Sequence, residues 1–343
     1  MACANNMTEH FPALPYPWQK DEWQRLNRHI DEGQLPHALM LSGPPGVGKF
    51  HLAGALAQRL LCQAPQQGTA CGKCHSCGLL KAHTHPDLTV LQPEEPGKAV
   101  KIDAIRELTR SLGNTAQQGG YKVVVLEPAE AMNVNAANAL LKTLEEPADN
   151  TLLILVSHSP SAVLPTIRSR CQIRPLPLPA ASRVLEWLTP LVSGSGLEAG
   201  ELLDRARGAP LTALGLLDGD RLEQRRQREQ DFLKLCDQKL TAMQLADNWQ
   251  KGDVGEAIEW LLGWLYDLAR WQTGVGVAAL DALPAHVQQT LTRIPPALLH
   301  RYLEKLLAVK RQWLSGANPN KQLLLEELLL DWGVVLRQAM RAA

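Results

Sequence analysis

The chain has 343 residues and 45% of them are hydrophobic, which is enough to bury the cores of two or three domains and excludes wholesale disorder. Lys plus Arg and Asp plus Glu both number 35, so the formal net charge is zero. This balance excludes a protein that coats nucleic acid through bulk positive charge, but it leaves room for a local basic groove. Neither a signal peptide nor an apolar run of about 18 residues is present. We therefore expect a soluble, cytoplasmic protein.

Four short apolar runs predict buried strands of a parallel sheet, because helical patterns lie between them. These runs are Ala38–Leu41, Asp87–Leu91, Lys122–Leu126 and Leu152–Val156. Three prolines in Pro175–Pro179 break regular structure and predict the end of an α/β domain at residue 178. From Ala180 onward the strand signals vanish. The predicted fold class is therefore α/β plus all-α.

The carboxyl-terminal half is predicted to hold two helical regions. A small unit rich in Leu and Ala covers residues 179–219, and a larger helical domain covers residues 220–343. The larger domain begins with a charged helix over Arg221–Gln230 and continues with amphipathic helices such as Leu323–Leu330. In it Trp260, Trp264 and Trp271 are spaced by four and seven residues, which places them on one helical face. Packing in a core is the expected role of such a stripe.

A glycine-rich loop follows the first predicted strand, where residues 43–50 read GPPGVGKF. Backbone N–H groups in such a loop can bind phosphate oxygens, and the lysine can reach the outer phosphates. The candidate nucleotide-binding positions are Gly43, Gly46, Gly48 and Lys49. The motif's last position should be Ser or Thr, which ligates Mg²⁺, but here it is Phe50, which has no oxygen to offer. The alternative is a tight turn that merely requires glycine.

The third apolar run ends in the place where a P-loop ATPase holds Mg²⁺ and activates water. The first acid is present as Glu127, but the expected general base is replaced by Pro128, whose side chain accepts no proton. Together with Phe50 these substitutions predict a degenerate site. ATP or ADP can still bind there, but we expect no hydrolysis.

Four of the seven cysteines lie within sixteen positions, in the pattern C-x8-C-x2-C-x2-C. Four thiolates suit a closed, tetrahedral structural zinc site. The predicted ligands are Cys62, Cys71, Cys74 and Cys77. Unliganded, reduced cysteines are the alternative. Three nearby histidines, His75, His83 and His85, could replace one thiolate, but we interpret them as solvent-exposed loop residues.

Several motifs occur together in this chain. They are LPHAL at 35–39, the glycine loop, the four cysteines, THPD at 84–87, NALLKTLEEP at 138–147 and SRC at 169–171. In this combination the chain resembles bacterial sliding-clamp loader subunits of the AAA+ class, over most of residues 35–175. Leu323–Leu330 is also similar to that family's collar helices. The resemblance implies a RecA-like domain to residue 178, a helical lid to residue 219 and a collar domain that joins a five-subunit ring.

Within that family the defective site resembles the non-hydrolysing subunit rather than the ATP-hydrolysing tau/gamma subunits. Leu211 stands where the active subunits carry a nucleotide-sensing arginine. On composition alone Arg170 belongs to a solvated edge, but the resemblance implies an arginine finger that enters the neighbour's ATP site, with Cys171 as a packing residue. The implied partners are the tau/gamma and delta subunits and, through the complex, the sliding clamp and primed DNA, with no membrane.

Two other functions remain open on the sequence. The chain could be an ATP-hydrolysing loader subunit, because Gly43–Lys49 is intact and Glu127 could hold Mg²⁺ without help from residue 50. It could also be a zinc-dependent nucleic-acid-binding module that presents Lys73 and His75 from the cysteine turns. The first predicts ATP turnover by the isolated chain, and the second predicts salt-sensitive DNA binding by residues 62–77.

Overall fold

The computed structural model describes residues 14–94, 98–118, 120–193, 197–218, 221–314 and 319–341. The chain divides into two compact units, Met1–Gly219 and Asp220–Ala343. The residues on either side of the predicted boundary, Gly219 and Asp220, lie outside the described residues. None of the described helices is long and apolar enough to cross a membrane.

The first unit is built on a five-stranded parallel sheet with the order β2-β3-β4-β1-β5. The strands are β1 (Ala38–Ser42), β2 (Leu88–Leu91), β3 (Lys122–Leu126), β4 (Thr151–Ser157) and β5 (Gln172–Pro175). β1 and β4 are buried along their whole length, as expected of central strands covered on both faces. The four predicted strands are therefore confirmed, and the carboxyl ends of β1, β4 and β3 lie side by side.

Helices cover both faces of this sheet. They are α1 (Lys20–Asp31), α2 (Lys49–Leu61), α3 (His75–Lys81), α4 (Ile102–Leu112), α5 (Val134–Glu145) and α6 (Pro165–Arg168). Alternate residues of β1 enter opposite cores: Leu39 and Leu41 pack with α1 and α2, whereas Met40 packs with α4 and α5. The result is a three-layer α/β/α arrangement. Three further helices, α7 (Ala181–Val192), α8 (Ala199–Arg205) and α9 (Pro210–Gly215), follow it along the chain.

The fifth strand is absent from the sequence prediction. β5 pairs in parallel with β1, from Gln172 beside Leu39 to Pro175 beside Ser42. Three of its four residues are exposed, and a proline closes it at the sheet edge. An exposed edge strand lacks the apolar run by which a buried strand is recognised, and Pro175 instead suggested a break in regular structure.

The described residues of the second unit form helices joined by turns, with no strand among them, which confirms the predicted all-α part of the fold class. Its helices are α10 (Arg221–Cys236), α11 (Ala242–Trp249), α12 (Val254–Gln272), α13 (Ala278–Asp281), α14 (Ala285–Thr292), α15 (Pro296–Leu314) and α16 (Lys321–Arg341). α10 and α16 extend well beyond the predicted Arg221–Gln230 and Leu323–Leu330, because their later turns carry the apolar residues that enter the core.

Aromatic side chains form the centre of this helical unit. Phe232 and Trp332 are fully buried, and the Phe232 ring centroid lies 4.8 Å from that of Trp264 and 5.4 Å from that of Trp260 in edge-on contacts. Trp271 is partly buried against the same core and donates through Nε1 to Asp281 Oδ1 at 2.8 Å. The predicted packing role of the tryptophan stripe is confirmed.

A matched pair of substitutions on α16 tests this core. Leu329 is fully buried and its neighbour Leu330 is 45% exposed. In the isolated chain we expect Leu329→Ala to lower the free energy of unfolding of the helical unit by about 2–5 kcal/mol. Leu330→Ala should change it by less than about 0.5 kcal/mol. Urea titrations followed by tryptophan fluorescence measure both, and equal losses would contradict the assignment of the two faces.

Candidate functional site

The glycine-rich loop connects β1 to α2. Gly46 and Gly48 adopt φ angles of 77° and 84°, in the left-handed region that favours glycine. A Cβ atom at Gly48 would lie 2.6 Å from the Tyr16 ring, and one at Gly46 would lie 2.3 Å from Thr212 Oγ1. Both glycines are therefore required by backbone conformation and by close packing, whether or not a phosphate binds.

Side chains from the amino-terminal segment hold the carbonyl groups of the loop. Trp18 Nε1 and Gln19 Nε2 each donate to the Val47 carbonyl at 3.0 Å, and Gln19 Nε2 also donates to the Gly48 carbonyl at 2.8 Å. Gln19 is almost fully buried. The sequence gives no signal for these contacts, because they join residues almost thirty positions apart.

The small helix α9 contacts the same loop. The Leu211 N–H donates to the Gly46 carbonyl at 2.9 Å. The position that the family resemblance assigns to a nucleotide-sensing arginine therefore lies against the loop, but it presents only a backbone donor and an aliphatic side chain.

The lysine of the loop donates its hydrogen bonds to carbonyl groups of the same loop. Lys49 is 2% exposed, and its Nζ donates to the carbonyl oxygens of Gly43 at 2.7 Å and Pro44 at 2.6 Å. Burial lowers the pKa of Lys49 to about 8, partly opposed by the charges of Glu127 and Glu130. These bonds satisfy the ammonium group in the way that a phosphate would.

In a P-loop ATPase, the positions of Phe50 and Glu127 would hold Mg²⁺, but in this chain both side chains are engaged in contacts within the protein. Phe50 packs against the hydrophobic core on the α1 and α2 side of the sheet. Glu127, directly after β3, is largely buried and accepts a hydrogen bond from Gln92 Nε2 at 3.2 Å. Desolvation raises the pKa of Glu127 to about 7. The structure thus brings Glu127 to the carboxyl edge of the sheet, where the glycine loop also lies.

Glu130, the other acid after β3, has a structural contact. Its Oε1 accepts the backbone N–H groups of His158 at 2.9 Å and Ser159 at 3.0 Å, just after β4. The Glu130 carboxylate thus holds the backbone that follows β4. In the same region His158 Nε2 lies 3.6 Å from Glu127 Oε1.

The four predicted metal ligands come together in the structure. Their Sγ atoms all lie within 4.8 Å of one another, and those of Cys62 and Cys74 are 3.9 Å apart. A tetrahedral zinc ion with about 2.3 Å zinc–sulfur bonds requires sulfurs about 3.8 Å apart. Cys62 lies directly after α2, and Cys74 and Cys77 lie at the start of α3. The donor set and spacing fit zinc after small movements of the side chains.

Backbone N–H groups assist these sulfurs. The N–H of Cys71 points at Cys62 Sγ at 3.2 Å, and the N–H of Cys77 points at Cys74 Sγ at 3.4 Å. Burial raises the pKa of Cys77 to about 12. Burial also acts to raise the pKa of Cys74, but the hydrogen-bond donors outweigh it and lower that pKa to about 6. Donors of this kind stabilise the thiolates that a metal needs.

The expectation that all three neighbouring histidines are exposed is wrong for one of them. His75 and His83 are exposed, but His85 is buried and its Nε2 lies 2.7 Å from Ser76 Oγ. None of the three belongs to the cysteine cluster. His85 is buried because it lies just before the edge strand β2 and packs under α3. The polar sequence around it gave no sign of this burial.

Arg170 lies at the opposite end of the sheet from the glycine loop, since it lies two residues before the amino end of β5. Its guanidinium forms an ion pair with Glu145 Oε1 at 2.5 Å and donates to the Thr166 carbonyl at 3.0 Å. One third of the side chain remains exposed. Cys171 is buried in the core, apart from the cysteine cluster, in agreement with its expected packing role.

Comparison with known proteins assigns the family. Residues 18–179 match the family described as "DNA polymerase III, delta subunit", and residues 219–333 match "DNA polymerase III, delta subunit, C terminal". A protein of Pseudomonas aeruginosa named "DNA polymerase III subunit delta'" is 43% identical, over 92% of this chain and 97% of its own length. The Escherichia coli K12 protein of the same name is 33% identical, over 92% and 94%.

This chain belongs to the delta' family of DNA polymerase III subunits. The family resemblance stated from the motifs is thereby confirmed. A solved structure of a gamma subunit-related protein from Thermotoga maritima is also similar, with 19% identity, a TM-score of 0.48 and coverage of 93% of this chain and 100% of that one.

The raised pKa of Glu127 predicts a pH-dependent stability in this delta' family member. The group has a pKa of about 7 in the folded chain against 4.5 when unperturbed, so the folded state binds its proton more tightly. Wild-type stability should fall as pH rises from about 4.5 to about 7 by on the order of 1–3 kcal/mol relative to Glu127→Gln. Urea unfolding at a series of pH values measures this difference.

The control is Glu107→Gln, at an exposed position on α4. Its profile should run parallel to that of the wild type. If the profile of Glu127→Gln did so as well, the buried, desolvated environment assigned to Glu127 would be wrong.

Proposed function

We propose that this chain is the non-hydrolysing subunit of the bacterial replication clamp loader and that it supplies Arg170 to the ATP site of a neighbouring tau/gamma subunit. The position of Arg170 carries the proposal. Strands rise roughly 3.3 Å per residue. The paired stretch from Leu39 to Ser42 therefore separates the amino edge of the sheet from its carboxyl edge by roughly 10 Å. A side chain at the amino edge cannot serve the chain's own glycine loop, but it is exposed to a neighbour.

The contacts of Arg170 suit a finger that acts in trans. Glu145, at the end of α5, is also at the amino edge of the sheet, and it holds the guanidinium before a partner arrives. Replacing this carboxylate by a γ-phosphate exchanges one anion for another, so the guanidinium stays paired throughout. Arginine fingers of this kind accelerate hydrolysis about 10³–10⁵-fold in well-studied GTPases.

The chain's own cleft supports the non-hydrolysing part of the proposal. Lys49 is bound to two carbonyl oxygens, Phe50 is packed into a core, and Pro128 occupies the place of the general base. ATP or ADP can bind weakly without Mg²⁺, because the backbone cradle needs none. The phosphate would first have to displace the Gly43 and Pro44 carbonyls from Lys49. We therefore propose that the chain is no ATPase on its own.

Within the assembly a subunit that does not cycle with ATP can act as a fixed reference. The relatives named "DNA polymerase III subunit delta'" support a role in the DNA polymerase III holoenzyme, which we propose acts in the cytoplasm. There it would form a ring with the tau/gamma and delta subunits, which opens the sliding clamp and places it on primed DNA. A net charge of zero suits a protein whose main contacts are other subunits.

Substitution of Arg170 tests this function. In a loader reconstituted with tau/gamma, delta, clamp and primed DNA, Arg170→Ala should remove the contribution of one ATP site to steady-state ATPase, because its transition state loses a positive charge. The ring should remain intact by gel filtration. The isolated chain should be inert.

Arg106→Ala removes a more exposed arginine from α4, with 61% of its side chain exposed against 34% for Arg170, and serves as the control, which should leave the rate unchanged. Turnover of ATP by the isolated chain, abolished by Lys49→Ala, would support the active-ATPase alternative instead. An intact ring that runs at full rate with Arg170→Ala would exclude the finger.

We also propose that Cys62, Cys71, Cys74 and Cys77 hold one structural zinc ion. The sulfurs lie close enough for tetrahedral ligation, and four thiolates leave no position for a reacting water. The metal would join the end of α2 to the start of α3 and so add to folding stability rather than to chemistry.

Metal analysis tests the zinc site. The purified wild-type chain should contain one zinc ion, and a chelator should lower its melting temperature. Zinc should also be lost as pH falls, since protons compete for the thiolates. Cys77→Ala should abolish the zinc content, whereas Cys171→Ala, at a buried cysteine outside the cluster, should retain it. A wild-type chain without zinc would refute the site.

A further inference from the structure

A buried hydroxyl lies between the two halves of the cysteine cluster. Ser76 has no exposed surface, and its Oγ–H donates to the carbonyl of Leu61, the last residue of α2. Leu61 directly precedes Cys62, and Ser76 lies between Cys74 and Cys77. This hydrogen bond therefore joins the arm of the cluster that ends α2 to the arm that begins α3.

The imidazole of His85 orients that hydroxyl. Its Nδ1 accepts the backbone N–H of Asp87 at 3.1 Å, so the ring proton belongs on Nε2, which donates to Ser76 Oγ at 2.7 Å. With its oxygen accepting from His85, the serine is left to donate its proton to Leu61. Burial lowers the pKa of His85, in keeping with a neutral ring.

The far end of this chain of hydrogen bonds is anchored in the sheet unit. The Asp87 carboxylate accepts the backbone N–H groups of Gln117 at 2.7 Å and Gln118 at 2.8 Å. The carbonyl of Asp87 accepts the N–H of Val123, in β3, at 2.9 Å. His85 is therefore held next to the first residues of β2 and β3. Its hydrogen bond to Ser76 connects the cysteine-bearing segment to this part of the sheet.

We propose that Ser76 and His85 are positioning residues that preorganise the four cysteines for their metal. This inference rests on the proposed zinc site. Eight residues separate Cys62 from Cys71, and that connection does not itself fix the distance between the two arms. The hydrogen bond from Ser76 to Leu61 fixes the distance between the arms, because Leu61 adjoins Cys62 and Ser76 adjoins Cys77. Residues that orient metal ligands typically contribute 10–100-fold to metal affinity.

Zinc affinity of the full chain tests the proposal. Competition with a chromogenic chelator should show about 10–100-fold weaker zinc binding by Ser76→Ala than by the wild type. The matched control is His75→Ala, which alters the adjacent, exposed residue between the same ligands and should bind zinc within about twofold of the wild type.

A second readout separates positioning from general destabilisation. If Ser76 preorganises the ligands, the rise in melting temperature on adding zinc to the metal-free chain should be smaller in Ser76→Ala than in the wild type. A merely structural role would lower the melting temperatures of the metal-free and zinc-loaded forms equally, leaving the rise unchanged, and would overturn the proposal.

Two further measurements remain decisive if Ser76→Ala does not fold. His85→Gln should also weaken zinc binding, because it removes the imidazole that orients the hydroxyl. Nitrogen-15 NMR of the wild-type chain at neutral pH should show the His85 ring as the neutral Nε2–H tautomer.

Each contrary outcome has a distinct meaning. A wild-type chain that binds no zinc overturns both the zinc site and this inference. A wild-type chain that binds zinc, with Ser76→Ala or His85→Gln folded and equal to it in affinity, overturns this inference alone. Detection of the Nδ1–H tautomer overturns it as well, since the ring could not then donate to Ser76.

Discussion

The parallel pairing of β5 with β1 is the constraint on which the arrangement of the candidate sites depends. All the strands run in one direction, so the loop after β1 emerges at the carboxyl edge, and the residues before β5 lie at the amino edge. Arg170 and the glycine loop are consequently separated by the length of the strands between them. One chain can thus carry the glycine loop at one edge and present an arginine at the other.

The glycine loop is held in place by contacts that involve no nucleotide. Gly46 and Gly48 make room for Thr212 and Tyr16, and Gln19 occupies two carbonyl groups of the loop. The buried ammonium of Lys49 finds two carbonyl acceptors within the loop, which offsets its desolvation. The loop is therefore a packed part of the core, and its glycines and lysine have structural roles independent of ATP.

The cysteine cluster shows how a local motif depends on distant support. Its four sulfurs converge because α2 and α3 are held together, and the hydrogen bonds through Ser76 and His85 connect that junction to the sheet. The two other buried cysteines of the described chain, Cys171 and Cys236, belong to separate hydrophobic cores. Clustering in sequence was thus a sound guide to which cysteines meet in space.

The sequence by itself determined the four apolar strands, the glycine loop, the cysteine set and the family, because each is encoded in short runs or fixed local spacings. Only the tertiary structure decided the existence of β5, the burial of His85 and the contacts of Gln19 with the loop. An exposed edge strand carries no hydrophobic run, and a polar residue becomes buried only when distant elements pack over it. Those outcomes depend on contacts between residues far apart in the chain, which no local pattern encodes.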